Sequence, residues 1–342
     1  MKKFFAAVLS MAMMLSLASC TAKDTTPTPA PAPSTDSSTA TEAPAPSTEE
    51  FTFDQPITVI VPFKAGSATD NQLRLMQGDL EAALGTTLVI VNAEGGSGTI
   101  GTTEYLTNYA ADGYTVLYSL ATPVVYKPLS GDTVYTYDDL TAVARTSSQP
   151  IYLIMSDAKD MSAEDVLEYI KTNPGEFTYA NVGNGGNGHL AFASFLMGEN
   201  LDAVSVPYTG GTADCYTAMM GGEVMSAVYG EADLLAREEN HAVINLGSKS
   251  TVEALADVPT LADLGYEGYQ TNNLAGFFYN KDVSAEIVDA FEAAVESVLT
   301  NEDFIARATA SGFVPSFGSG DDLDAQAAMA IEKATPVIKA LG

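Results

Sequence analysis

Four times the chain runs from a β-branched stretch through a glycine-rich loop into an apolar, helix-periodic segment. The four are Ile57–Leu73, Leu88–Leu106, Phe177–Phe195 and Val204–Met219. Strand, short loop and helix in alternation build a parallel sheet with helical crossovers. Ligands of such sheets sit where the loops gather, at the carboxyl ends of the strands. Helix starts there carry unpaired N–H groups and the positive end of the helix dipole, which favour anions. Even an acidic chain can therefore hold a carboxylate with few cationic side chains.

The pattern extends along the folded part. Ile57–Val61, Leu88–Val91 and Tyr114–Tyr118 read as strands, with helices over Asp70–Leu84 and Thr102–Ala110. Ile151–Met155 is a further strand, and Ser162 with Asp165 forms a capping box ahead of the next helix. A second series follows: Phe177–Val182, Leu190–Met197, Val204–Tyr208, Ala213–Met220 and Val224–Tyr229. Leu274–Tyr279 reads as a strand returning from it. Ser284 precedes a helix with Ile287, Phe291, Ala294, Val295 and Val298 on one face. Leu323–Lys333 is a weaker terminal helix, disturbed by Pro336. Two series and a late helix pair predict two lobes: 51–152 with 271–342, and 153–270. A cleft between lobes is a favoured ligand site.

The N-terminus reads as a targeting segment. Lys2 and Lys3 precede an apolar run from Phe4 to Leu17, too short to span a membrane as a mature helix. Residues 1–19 are thus expected to be a signal peptide. Leu17-Ala18-Ser19-Cys20 resembles a lipobox, which implies lipidation of Cys20 and attachment to the extracytoplasmic face of the cell membrane. Residues 20–50 are Pro, Thr, Ser and Ala with a few acids, the composition of a disordered tether. If Cys20 carries lipid, Cys215 has no disulfide partner.

The formal charge of −29 excludes a nucleic-acid partner, which needs clustered Lys and Arg. It also sets a problem, since an anionic ligand must approach through an unfavourable field. Two stretches fit GxGxxG, Gly183–Gly188 and Gly96–Gly101, but neither following strand ends in the acid that a dinucleotide ribose requires. No HExxH or CxxC is present, and the histidines number two. No cofactor or metal is expected. Ser97 misses the GxSxG elbow at its last position. His189, at a helix start after glycines, reads as a base, a ligand contact or a capping residue. Cys215 reads as a small buried apolar residue.

One family shares the ordered set of motifs. Pro56-Ile-Thr-Val-Ile-Val-Pro-Phe63 leads to Gly66 and Thr69-Asp70; Val91-Asn92 precedes the Gly95–Gly101 loop; Asp112-Gly113-Tyr114-Thr115 follows. Asn173-Pro174-Gly175, Gly188-His189-Leu190, Val206-Pro207-Tyr208 with Gly210-Gly211, and Asp257-Val-Pro-Thr260 complete the series. Over residues 53–342 the chain resembles the extracytoplasmic solute-binding proteins of tripartite tricarboxylate transporters, the Bug family. The resemblance implies an α/β, two-lobed periplasmic-binding-protein-like fold of type II, each lobe a mainly parallel sheet flanked by helices. It also implies a non-enzymatic role, in which a small organic anion is captured for integral membrane transporter subunits.

By that resemblance, the carboxylate is gripped by Phe63, Lys64, Ala65, Gly66, Ser67, Thr69 and Asp70 from one lobe. From the other lobe come Tyr208, Thr209, Gly210, Gly211 and Thr212. Asn184, Asn187 and His189 line the same cleft. The chain departs from the family where Lys64, Ala65, Gly66 and Ser67 replace a small-residue, diglycine turn. Lys64 either pairs with the ligand or faces solvent. Asn184 and Asn187 stand where serines are common, and asparagine both donates and accepts. The expected ligand is therefore a di- or tricarboxylate, an amino acid or a related acid, bound by a monomer. Two alternatives remain open at this point: a tethered hydrolase using His189, and a ligand-sensing module for a membrane receptor.

Overall fold

The structure, a computed structural model, describes residues 51–208 and 210–341. The expected signal peptide (1–19), the expected lipidation site Cys20 and the expected tether (20–50), together with Thr209 and Gly342, lie outside them.

Strands β1 (Ile57–Val61), β2 (Leu88–Asn92) and β3 (Thr115–Leu120) alternate with helices α1 (Ala68–Leu84) and α2 (Thr99–Asn108). A wide helical turn over Thr122–Tyr126 and the short α3 (Lys127–Leu129) lead to β4 (Leu140–Ser156), 17 residues long. Next come α4 (Ala163–Thr172), β5 (Thr178–Asn181), α5 (Asn187–Gly198), β6 (Val204–Pro207) and α6 (Thr212–Met220). After these stand β7 (Ser226–Gly230), α7 (Glu231–Leu235) and β8 (Asn240–Asn245). Finally β9 (Asn272–Asn280) returns, followed by α8 (Ala285–Leu299), α9 (Glu302–Ala310), β10 (Gly318–Ser319) and α10 (Gly320–Ala340).

The strands form one curled sheet in the order β2-β1-β3-β9-β4-β7-β5-β6, with β8 and β10 paired to β4 off that path. Within β1, β2 and β3 the pairing is parallel, as it is within β5, β6 and β7. The strands between them are antiparallel: β3 to β9, β9 to β4, and β4 to β7. Directions follow from these pairings. Strand β4 leaves the first half and enters the second. Strands β1 and β3 run the same way, while β5, β6 and β7 run against it. The carboxyl ends of both parallel sets therefore point at each other across the β4–β9 crossing, so their loops gather on one divide.

Packing explains the elements. On α1, Leu73, Met76, Leu80 and Leu84 recur at helical spacing and are buried against Ile57, Val59 and Val61 of β1. Each such side chain contributes roughly 1.5–3 kcal/mol on burial. Gly85, at φ 69°, ends α1 in the left-handed conformation. In the second half, Val166, Leu167 and Ile170 of α4 pack with Phe177, Tyr179, Phe192 and Phe195. A third apolar cluster joins Leu190 of α5 to Ala334, Val337 and Ile338 of α10, so those two helices hold the halves together on one face.

Four sequence expectations need revising. Strand β4 begins eleven residues earlier than the strand read at Ile151, and β8 was not anticipated. Helix α10 continues through Pro336 to Ala340. Proline there removes the donor to the Glu332 carbonyl, but Glu332 is exposed and water can replace it. One residue earlier the Thr335 hydroxyl donates to the Ile331 carbonyl at 2.6 Å. Helix α9 also went unread; the Asn301 side chain caps it by accepting from the Phe304 amide.

Candidate functional site

The loop after β1 is built around a buried acid. Asp70 is 1 % exposed. Its Oδ2 accepts the Gly66 amide at 2.8 Å and Arg74 Nε at 2.9 Å, and its Oδ1 accepts Asn92 Nδ2 at 3.0 Å. Burial raises the Asp70 carboxyl pKa, and the hydrogen bonds from Arg74, Gly66 and Asn92 outweigh it, so the net shift is downward. Asn92 also donates to the Phe63 carbonyl. Gly66 sits at φ 80°, a conformation that suits glycine. The Ser67 hydroxyl caps α1 by accepting the Asp70 amide. Asp70 and Ser67 thus spend their polar atoms on shaping the turn. Lys64, Ala65 and Gly66 are exposed, Phe63 is half-buried, and Thr69 is buried beneath the turn.

Beside it lies the Gly95–Gly101 loop. Gly95, Gly96, Ser97 and Gly98 all have positive φ, Ser97 at 57°. A Cβ on Gly98 would come within 2.8 Å of Pro123 and 3.4 Å of Phe63. That close approach seats Phe63 against the segment that follows β3.

In the second half, Asn181 ties two loops together. Its Oδ1 accepts the Gly183 amide at 2.9 Å, its Nδ2 donates to Ser205, and its carbonyl accepts the Tyr208 amide at 2.8 Å. The loops leading into α5 and α6 therefore run side by side. Neither helix has a side-chain cap: Gly186 precedes α5 and Gly211 precedes α6. Their first N–H groups are left for solvent or a ligand. Asn184 is exposed. Asn187 is buried, donates to the Asn272 carbonyl and Asn273 on β9, and leaves its Oδ1 without a partner among the described residues. His189 is buried; its Nδ1 accepts the Gly185 amide at 3.2 Å, which places the ring proton on Nε2. Burial pulls its pKa down. No serine or acid is hydrogen-bonded to His189 among the described residues.

Thr212 is braced from behind. The Thr212 hydroxyl donates to Asp233 Oδ1 at 2.7 Å and accepts from Arg237, which pairs with the same Asp233 oxygen. Gly211 has φ 85°, and a Cβ on Gly210 would strike the Asp214 carboxylate. The Tyr208 hydroxyl donates to Glu223. Cys215 is buried on α6, and burial pushes its thiol up to about 11.

The structure thus brings Phe63–Asp70 together at the end of β1, and Asn184, Asn187, His189, Tyr208 and Gly210–Thr212 together at the ends of β5 and β6. Asn92, Arg74 and Asn181, which hold these turns in shape, were missed as such; an asparagine at the last position of a strand before a glycine loop was the available signal. No cluster of three His, Cys, Asp or Glu suited to a metal occurs among the described residues, and none of their helices is long and apolar enough to cross a membrane.

The whole arrangement corresponds to known structures. A TctC solute-binding protein from Polaromonas, solved without ligand, superposes with a TM-score of 0.74 at 23 % identity, over 84 % of this chain and 98 % of that one. Rpa4515 of R. palustris, solved with adipate, gives 0.66 at 25 % identity, over 84 % and 97 %. Opposed strand ends on a curled, mixed sheet and this likeness define a solute-binding receptor fold. Protein BugT of Bordetella pertussis is 26 % identical over 294 residues, 84 % of this chain and 90 % of BugT. Residues 72–342 match the tripartite tricarboxylate transporter family receptor, TctC, and the chain belongs to that family. The family is one of receptors, not enzymes.

Proposed function

We propose that the Phe63–Asp70 turn and the Tyr208–Thr212 turn grip one small carboxylate between lobes 51–152 with 271–342 and 153–270. The observation that carries this reading is the pair of uncapped helix starts, α5 and α6, at strand ends that point toward the β1 turn. Main-chain N–H groups there supply local positive potential inside a chain of charge −29. Lys64 adds a cation on the other side, and Asn184, Asn187 and His189 border the ligand. A family relative solved with adipate supports the carboxylate class. The captured acid is delivered to integral membrane transporter subunits. The receptor is a monomer that works on the extracytoplasmic face, held there by lipid on Cys20.

A thermal-shift series with adipate, succinate, citrate and malate tests the reading. Ligand at about a hundred times its Kd adds roughly 2.7 kcal/mol of stability. A melting curve that none of these acids, nor any aromatic or hydroxy acid, displaces would overturn it.

A further inference from the structure

A cavity of about 420 Å³ opens where β4 and β9 cross between the halves. Ser148, Pro150 and Asn272 of the two crossing strands line it. Arg145 borders it from the first half and Glu231 from the second. None of Phe63–Asp70, Asn184, Asn187, His189 or the described Tyr208–Thr212 residues does so. The cavity adjoins them through Asn272, whose carbonyl accepts from Asn187.

The charges in its walls are unusual for this chain. The sequence has four arginines against 44 acids. Arg74, Arg237 and Arg307 each pair with an aspartate. Arg145 alone has no carboxylate within ion-pair distance among the described residues, although it is half-buried. Its Nε and Nη2 donate to the Ser316 carbonyl, the Ser316 hydroxyl and the Phe317 carbonyl. A guanidinium has further N–H donors on Nη1, and none of these finds an acceptor among the described residues. Glu231 shows the opposite imbalance. It is 4 % exposed, and its Oε2 accepts only the neutral hydroxyls of Tyr152 and Ser250. No cation pairs with it among the described residues. Asp322 acts on Arg145 from beyond ion-pair distance, whereas Glu231 is held out of water with no counter-charge in contact among the described residues, which is costly. Two charges of opposite sign, Arg145 and Glu231, thus line one cavity without pairing with each other; the third charged group of the lining, Lys249, is exposed and pairs with Asp263 at 3.5 Å.

A molecule carrying both charges satisfies both walls at once. We infer that this cavity is a second ligand site for a zwitterionic α-amino acid, its carboxylate on Arg145 and its ammonium on Glu231. Tyr126, Leu274 and Met329 give the remaining lining an apolar stretch for the side chain. The volume lies within the range of small-molecule pockets. Because the two charges come from opposite halves, the occupant couples to their relative arrangement and so to carboxylate capture at the turns.

The test is calorimetry on the full chain with each of the twenty L-amino acids singly, and with adipate in parallel. The expected result is saturable binding of at least one amino acid, weakened tenfold or more in Glu231→Gln, with adipate affinity unchanged. Glutamine keeps acceptors for Tyr152 and Ser250, so this variant should fold. The matching deaminated acid and decarboxylated amine, each lacking one charge, should bind at least tenfold more weakly than the amino acid. Absence of binding by all twenty, or equal affinity in Glu231→Gln, overturns the inference. So does a parallel loss of adipate binding in that variant, which would make the cavity the carboxylate site itself. Adipate failing to bind while an amino acid binds and responds to Glu231→Gln would sink the proposed capture at the turns and leave this site standing.

Discussion

The Asp70 carboxylate accepts the main-chain amide of Gly66 at 2.8 Å, closing the turn after β1 onto the first turn of α1. The same oxygen takes Arg74, so one buried acid fixes both the turn and the helix start. Asp70→Asn should cost about 2 kcal/mol in urea denaturation, the scale of hydrogen bonds to a charged group. The lowered carboxyl pKa sets the sign of the pH effect. Its stabilisation is complete above the ordinary carboxylate range and is lost as pH falls through the folded-state pKa, below about pH 4. Wild-type and Asp70→Asn stabilities should converge on acidification; a constant gap down to pH 2 would show that Asp70 is not ionised in the fold.

Gly101 is a packing glycine. A Cβ there would meet the Ala93 carbonyl oxygen and come within 2.9 Å of Pro62 Cα, both backbone. Neither can rotate away. Gly101→Ala should destabilise the chain by about 2 kcal/mol through overpacking, read as a lower urea midpoint at unchanged slope. A neutral outcome would mean that α2 can slide off β1 without penalty.

His189 should titrate below an ordinary histidine, since burial disfavours its cation. The unfolded chain then takes the proton first. Stability should be full above about pH 6.5 and fall as pH drops below it, by at most about 1.4 kcal/mol per pH unit. The His189→Asn variant should lack this slope. NMR of the imidazole should show a neutral ring protonated on Nε2 at pH 7. A cationic ring at pH 7 would contradict both expectations.

Lys64 is exposed at the β1 turn and makes no ion pair among the described residues. Lys64→Ala should weaken adipate binding severalfold and flatten its salt dependence, because an exposed ion pair is screened. Affinity measured between about 50 and 500 mM salt checks this. Unchanged affinity with an unchanged salt slope would place Lys64 in solvent.

Much of the fold was legible because its signals are local. Ile57–Val61 is a continuous β-branched run, Leu73, Met76 and Leu80 share a helix face, and Gly85 closes it. The first part of β4 was not legible. Thr146, Ser147, Ser148, Gln149 and Pro150 carry neither alternation nor an apolar run, and only pairing with β9 makes them a strand. β8 was hidden similarly, since Asn240 and His241 follow an acidic loop and only Val243 and Ile244 signal burial. The turns after β1 and β6 were visible as glycines between strand and helix. The braces behind them were less so, because the Thr212–Asp233 bond joins distant residues of no motif. Arg145 and Glu231 were invisible as a pair for the same reason: a lone charge in a strand and another at a helix start announce nothing until the crossing strands bring them to one cavity.

The two crossing strands also limit how the halves can move. β4 and β9 are antiparallel partners from Leu140–Asn280 to Pro150–Asn272, with register irregularities at Ala142–Ala144 and Arg145–Ser147. Sliding one strand along the other would break the whole ladder of amide bonds, whereas twisting leaves most of it intact. The irregular steps are where such twist is absorbed at least cost. Any rearrangement that opens or shuts this receptor is therefore a rotation about a doubled axle, not a translation, and a solute is admitted through an angle.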